Sequence, residues 1–177
     1  KGEARMSIYR QKLLKEIGIS GMESEISYSD WSNISKNAIL SEEFIREFQD
    51  YLIWTSICRH QELSEAFIRE FKDRIYWHSL SRYQTLSEEF IREFQFDLHW
   101  VPISTNQQLT GDFVIEFKDK INWDAYFCNQ KASFNIIKKF IVKSNIKKIN
   151  DIKTSHLTKE QKQEIDKILT LKYMFAK

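Results

Sequence analysis

"LSEEFIREFQDYLIWTSICRHQELSEAFIREF" spans residues Leu40 to Phe71, and its end nearly repeats its beginning after an interval of 23 residues. The same interval separates all five tryptophans of the chain, Trp31, Trp54, Trp77, Trp100 and Trp123. It also separates a series of leucines and a series of phenylalanines, namely Leu40, Leu63, Leu86 and Leu109, and Phe44, Phe67, Phe90 and Phe113. Internal repetition is therefore the feature that decides the fold.

One continuous helix cannot accommodate this interval. At about 100° per residue, tryptophans one repeat apart would lie about 140° apart around the axis, so no common face would form. The repeat must fold back, and its sequence predicts two amphipathic helices. The first follows Ser41, a good N-cap residue, with Phe44 and Phe48 on one face. The second begins near Trp54 and places Ile57 on the same side one turn later. We expect lengths of about ten and about eight residues.

The same two-helix pattern recurs along the chain. Ser64, Ser87 and Thr110 repeat the N-cap, and Pro102 follows Trp100 by two residues, where a helix tolerates proline in its first turn. Helices this short are unstable alone in water, so neighbouring repeats must bury their phenylalanines and tryptophans against each other. The sequence predicts an all-α fold, a short α-solenoid of two-helix 23-residue repeats with helical N- and C-terminal caps.

The ends of the chain depart from the repeat. We expect one structural unit made of a lead-in or cap helix in residues 1–30, tandem repeats in residues 31–131, and lysine-rich capping helices in residues 132–177. The lead-in helix should run from Met6 to Ile19, and Asp30 should be the N-cap of the helix that contains Trp31. Near the other end, Thr158 and Gln161 have the spacing of a capping box that starts a closing helix.

Composition favours a soluble, cytoplasmic protein. The 177 residues, 42% of them hydrophobic, suit one domain. No stretch approaches the roughly 20 apolar residues of a membrane span. The first residues are charged and lack the apolar core of a signal peptide, and we expect Met6 to be the natural start. Cys58 and Cys128 should be reduced thiols.

Residues typical of catalytic or metal sites form no recognisable pattern. The four histidines share no ligand spacing, and the chain has no phosphate-binding glycine loop or nucleophile elbow. Recurring glutamates beside recurring arginines predict an exposed ladder of ion pairs between repeats rather than an active site. These residues are Glu47, Glu70, Glu93 and Glu116 with Arg46, Arg69 and Arg92. We expect a non-enzymatic protein with no catalytic residue, no metal and no cofactor.

Residues that change from repeat to repeat surround the predicted second helix. A repeat scaffold needs a constant core, whereas its outer positions can diversify toward a partner. If the second helices line an open groove, these residues would contact a protein; neutral variation of the surface is the other interpretation. The candidate partner-binding residues are Thr55, Arg59, His60, His78, Arg82, Tyr83, Val101 and Asn106.

Charge is distributed unevenly along the chain. Residues 132–177 contain eleven lysines and four acidic residues, a net charge of +7, whereas the remainder has a net charge of −5. A basic end can bind nucleic acid, although solvated lysines on a capping helix are a simpler interpretation. The candidate nucleic-acid contacts are Lys138, Lys139, Lys143, Lys147 and Lys148.

The repeat combines the motif Leu-Ser-Glu-Glu-Phe with a tryptophan at a fixed position, and the repeated region extends over about Trp31 to Phe140. It resembles the short helical repeats of predicted proteins from giant DNA viruses, some phages and some bacteria. The resemblance implies no common activity. It implies a viral or phage accessory protein, present in the host cytoplasm, that binds and inhibits a host factor such as a defence nuclease. Nucleic-acid binding through the basic end is the alternative, and the oligomeric state stays open.

Overall fold

The computed structural model describes residues 10–19 and 26–174, and these form helices and turns without a β-strand. The predicted helical residues 6–9 lie outside the described part. Helix α1 covers residues 10–16 of the described part, so its predicted end at Ile19 is wrong: a turn in which Gly18 has a φ of 82° follows residue 16. The others are α2 (Tyr28–Asn37), α3 (Glu42–Glu47), α4 (Trp54–His60), α5 (Glu65–Glu70), α6 (Trp77–Tyr83), α7 (Glu88–Glu93), α8 (Trp100–Asn106), α9 (Gly111–Glu116), α10 (Trp123–Asn129), α11 (Phe134–Phe140) and α12 (Lys159–Met174). Two 3₁₀ turns, Ile141–Lys143 and Ile149–Asp151, lie between α11 and α12.

Each full repeat contains the two predicted helices. The first helix follows a Ser or Thr N-cap whose side chain accepts a hydrogen bond from the phenylalanine N–H three residues later, as in Ser41 with Phe44. The helices are shorter than predicted, six and seven residues in α3 and α4. Helix α3 ends early because the carbonyl of Phe48 accepts from the N–H groups of both Tyr51 and Leu52, at 2.9 and 3.2 Å. These hydrogen bonds turn the chain toward α4.

The caps at the two ends differ in how well the sequence predicted them. Helix α2 begins at Tyr28 with Ser27 as its N-cap, so the assignment of Asp30 as N-cap is wrong. Asp30 is instead the third helical residue of a capping box: its carboxylate accepts from the Ser27 N–H at 3.0 Å. The hydrogen bond from the Ser27 hydroxyl lowers the pKa of Asp30. The predicted Thr158–Gln161 capping box is confirmed.

The chain forms two compact units, Lys1–Gln84 and Thr85–Lys177, here called the N-terminal and C-terminal units. In the N-terminal unit, α2 packs against α4, and α4 packs against α6. In the C-terminal unit, α8 packs against α10, and α11 packs against α12. Consecutive repeats thus stack side by side within each unit, which is the predicted all-α solenoid arrangement. The predicted domain boundaries stay a prediction.

The recurring aromatic residues form the core of each unit. Phe44, Phe67, Phe90 and Phe113 are at most 1% exposed, and burying each contributes roughly 1.5–3 kcal/mol. The tryptophans differ: the outer two, Trp31 and Trp123, are buried, whereas the three between them are half-buried. The indole N–H of Trp54 donates to the Gln49 carbonyl at 3.0 Å, so the ring lies at the edge of the core.

The C-terminal unit closes its core with α12. The ring of Trp123 stacks on Phe140 of α11 with centroids 4.3 Å apart. Ile165 and Leu169 of α12 are buried in the same apolar cluster. The closing helix predicted from the sequence is confirmed.

Candidate partner-binding surface

A glutamine lies seven residues after each tryptophan except Trp31, and its side chain joins its repeat to the one before. The Gln61 carboxamide accepts from the Leu40 N–H at 3.0 Å and donates to the carbonyls of Ser35 and Ala38, at 3.2 and 2.8 Å. Gln84 repeats this pattern one repeat later. Sequence analysis missed this role, although the 23-residue recurrence of the glutamines was visible. These side chains are used for stacking and are not available to a partner.

A second recurring contact uses the residue four after the tryptophan. The Ser35 hydroxyl donates to the Trp31 carbonyl and accepts from the Ile53 N–H, at 2.7 and 2.9 Å. In α4 this position is Cys58, whose sulfur accepts the Tyr76 N–H at 3.4 Å. Burial raises the pKa of the Cys58 thiol, which is therefore neutral. Cys58 thus substitutes structurally for serine.

The predicted ladder of arginines and glutamates is present within each unit. Arg46 binds Glu70 of the next repeat through two nitrogens, each 2.9 Å from a carboxylate oxygen. Its guanidinium also lies 5.0 Å from the centre of the Phe67 ring. Arg92 makes the same ion pair with Glu116 at 3.0 Å, and this hydrogen bond raises the pKa of Arg92. Arg46 and Arg92 are therefore engaged between repeats.

All eight candidate partner-binding residues are exposed. Thr55, Arg59 and His60 lie on α4, and His78, Arg82 and Tyr83 lie on α6. Because α4 packs against α6, the structure places these six residues on adjacent helices of the N-terminal unit. The remaining two, Val101 and Asn106, lie on α8 in the C-terminal unit, and Val101 is 55% exposed.

Two of these residues, Arg59 and Arg82, contact a third, Tyr83. The guanidinium carbon of Arg59 lies 4.9 Å from the centre of the Tyr83 ring, and that of Arg82 lies 5.6 Å from it. Cation–π attraction at these distances is worth about 0.5–1 kcal/mol per pair at exposed sites. The contacts hold two positive groups beside one aromatic side chain on the protein surface.

The five candidate nucleic-acid lysines are also exposed, but they do not form a uniformly basic surface. Lys138 is paired with Glu164 at 2.5 Å. Lys143 is paired with Asp119 at 2.9 Å, and its hydrogen bond lowers the pKa of that carboxyl. The amino group of Lys139 lies over the Phe140 ring, 5.4 Å from its centre.

The other two candidate lysines border an open pocket of about 440 Å³. Its lining also contains acidic residues, and consists of Asp124, Asn145, Ile146, Lys147, Lys148 and Asp151. The Asp124 carboxylate accepts from the backbone and side-chain N–H groups of Asn145, at 2.5 and 2.8 Å. The pocket therefore has mixed charge, and its carboxylate at position 124 is already engaged.

Phe96 is an exposed aromatic residue that sequence analysis missed. It is 86% exposed, and the amino group of Lys120 lies 4.0 Å from its ring centre. The other full repeats have aspartate at this position, and Asp50 pairs with Arg74 across the same step of 24 residues at 2.6 Å. The cation–π contact thus replaces an ion pair. The sequence did contain a sign of this difference, because Phe96 is the single aromatic residue at a position that is otherwise aspartate in the full repeats.

Across residues 10–19 and 26–174, no group of three or more His, Cys, Asp or Glu side chains is placed to hold a metal ion. Within the same ranges, no helix has the length and apolar character needed to cross a membrane. Both cysteines are free thiols. Comparison with protein-family models, with curated proteins and with solved structures finds no match.

Proposed function

We propose that the protein is a non-enzymatic helical-repeat module that binds a protein partner through its second helices. One observation carries the proposal: recurring glutamine and arginine side chains are used between repeats, whereas the eight candidate residues, which lie on α4, α6 and α8, are exposed. Glutamine and arginine at recurring positions illustrate the first group. The variable positions can therefore change without loss of stacking.

The chemistry of the variable residues suits a protein interface. Arginine and tyrosine are enriched among the residues that dominate binding energy, and a cluster of Arg59, Arg82 and Tyr83 lies on adjacent helices. The exposed Val101 and Phe96 add apolar contact area in the C-terminal unit. The repeat motif resembles those of viral and phage proteins, so the proposed partner is a factor of a host cell, such as a defence nuclease. The protein would inhibit this factor by binding it.

Affinity capture tests this proposal directly. The purified chain is immobilised and incubated with a host lysate, half of which has been treated with nuclease. The variant T55A/H78A/V101A is compared with K72A/I115A/K118A, a control in which three exposed residues on or just after the first helices are changed. We expect one defined protein that survives nuclease treatment, is retained by the control, and is lost with the second-helix variant.

The same experiment distinguishes protein binding from the alternative, nucleic-acid binding through the basic C-terminal lysines. Binding through the lysines predicts that the captured material disappears after nuclease treatment, and that K147A/K148A reduces capture. It also predicts a steep loss of affinity with salt, since each neutralised phosphate releases counterions. A partner that both the second-helix variant and the control retain equally would contradict the proposed surface.

A further inference from the structure

A row of basic residues runs across the second helices of the N-terminal unit. The fifth residue after the tryptophan is Lys36 in α2, Arg59 in α4 and Arg82 in α6, and all three are exposed. These helices pack consecutively, and packed helices lie about 8–10 Å apart. The three positions therefore recur at about that spacing from helix to helix. In the C-terminal unit the corresponding residues are Thr105 and Cys128, so the basic row is confined to the N-terminal unit.

The two arginines of this row converge on one ring. Their guanidinium carbons are at most 10.5 Å apart, the sum of the distances 4.9 and 5.6 Å to the Tyr83 ring centre. Within the described residues, no carboxylate lies within 4 Å of either guanidinium. By contrast, Arg46 and Arg74 of the same unit each bind a carboxylate, at 2.9 and 2.6 Å. Two like charges are thus held beside one ring, with no carboxylate of the described residues at ion-pair distance.

We propose that Arg59, Arg82 and Tyr83, extended by Lys36, form a docking site for an acidic segment of a protein partner. This inference rests on the proposed function and specifies the partner's chemistry. A guanidinium matches a carboxylate with two parallel hydrogen bonds, which a lysine ammonium cannot do. The Tyr83 ring restricts both arginine side chains, so less conformational entropy is lost when they bind.

The spacing of the row favours an extended peptide. A peptide in the extended polyproline II conformation has three residues per turn and rises about 3.1 Å per residue, so acidic residues three apart lie on one face, about 9 Å from each other. That distance matches the step between packed helices. Nucleic acid is less suitable because the N-terminal unit has twelve basic and thirteen acidic residues in its sequence, which gives no broad positive field. A discrete set of carboxylates is the better complement.

Fluorescence anisotropy with the purified full chain tests the site. The probe is a labelled peptide with glutamate at every third position, compared with its glutamine counterpart and with a single-stranded oligothymidine of the same length. We expect the glutamate peptide to bind in a salt-dependent manner and the glutamine peptide not to bind. The variant R59A/R82A should weaken binding about tenfold or more, R59K/R82K should have an intermediate effect, and the exposed control K72A should bind as the wild type does.

Several results would overturn the inference. They are equal binding of the glutamate and glutamine peptides, unchanged affinity in R59A/R82A, or tighter arginine-dependent binding of oligothymidine than of the glutamate peptide. Circular dichroism verifies that each variant is folded, and Y83L, which removes the shared ring but no charge, provides a second variant with an expected intermediate loss.

The capture experiment separates failure of this inference from failure of the proposed function. If R59A/R82A still retains the captured protein while T55A/H78A/V101A loses it, the protein-binding function stands and the acidic docking site is wrong. If the glutamate peptide binds through the arginines but the lysate yields no protein partner, the site stands and the proposed function is wrong.

Discussion

Helices α5 and α11 share one framework but use their polar positions differently. Both follow a serine N-cap and bury two apolar residues in the same register, Phe67 and Ile68 in α5, and Ile136 and Ile137 in α11. The arginine–glutamate pair of α5 is replaced in α11 by Lys138 and Lys139. The apolar register is therefore the same in both helices, whereas the polar residues contact different neighbours: Lys138 of α11 pairs with Glu164 of α12.

The glutamine contacts show the same difference. The Gln84 side chain donates to the Cys58 carbonyl at 3.1 Å. Three repeats later, the equivalent carbonyl of Phe127 accepts instead from the backbone N–H of Lys153, at 3.0 Å. A carbonyl near the helix end is satisfied in both cases, as burial demands. At the C-terminal end the backbone replaces the side chain, and α12 covers the core that a further repeat would have covered.

Truncating the core should have the largest effect, and it should affect both regions. Phe67→Ala removes a fully buried ring and should cost about 3–5 kcal/mol, and Ile165→Ala in α12 about 2–5 kcal/mol. Urea denaturation measures both. Phe96→Ala is the control, because that ring is 86% exposed and its loss should change stability little. A small loss at Phe67 would show that the array does not depend on the phenylalanine series.

The second largest effect is expected at the recurring glutamine position, where a substitution should reduce stability in the repeats but not at the C-terminal end. Gln61→Ala leaves one N–H and two carbonyls without their partner and should cost about 2–4 kcal/mol. Lys153→Ala at the equivalent C-terminal position should change stability by less than about 0.5 kcal/mol, because its contact is made by the backbone. Denaturant midpoints compare the two variants. Equal losses would contradict the division of roles between side chain and backbone.

A smaller effect is expected at Cys58. Cys58→Ser should leave stability nearly unchanged, since Ser35 and Ser104 make the equivalent contacts in other repeats. Cys58→Ala removes the acceptor of the Tyr76 N–H and should cost about 1 kcal/mol. Thermal unfolding of the two variants measures the difference. A serine variant less stable than the alanine variant would show that sulfur is needed for packing.

The smallest effect is expected for the stability of the fold at acidic pH, through the ion pair between Asp119 and Lys143. Because Lys143 lowers the pKa of Asp119 below its ordinary value of 3.8, this pair stabilises the fold above that value. The contribution is lost as the pH falls through the lowered pKa. Asp119→Asn should therefore reduce the dependence of the melting temperature on pH below about 4. An unchanged acid profile, compared with Asp112→Asn as an exposed control, would show that the pair contributes nothing.

The sequence predicted the elements of the fold well because their signals are local. A Ser or Thr before Phe44, Phe67, Phe90 and Phe113 caps a helix through groups three residues away. The misassigned Asp30 shows the limit, since both Ser27 and Asp30 are good N-cap residues, and in the structure Ser27 is the N-cap while Asp30 completes the capping box. The sequence also placed all eight candidate binding residues on the surface, because they differ between otherwise matching repeats.

By itself, the sequence determined the period, the two helices of each repeat, the buried phenylalanine series and the closing helix, because each depends on residues close together in the chain. Only the tertiary structure decided which polar groups are engaged. It assigned Gln61 to backbone groups of the preceding repeat, paired Lys138 and Lys143 with carboxylates, and left Arg59 and Arg82 beside Tyr83. The physical reason is that hydrogen bonds and ion pairs require contact within about 4 Å, and long side chains from neighbouring repeats can reach several alternative partners until packing fixes their positions.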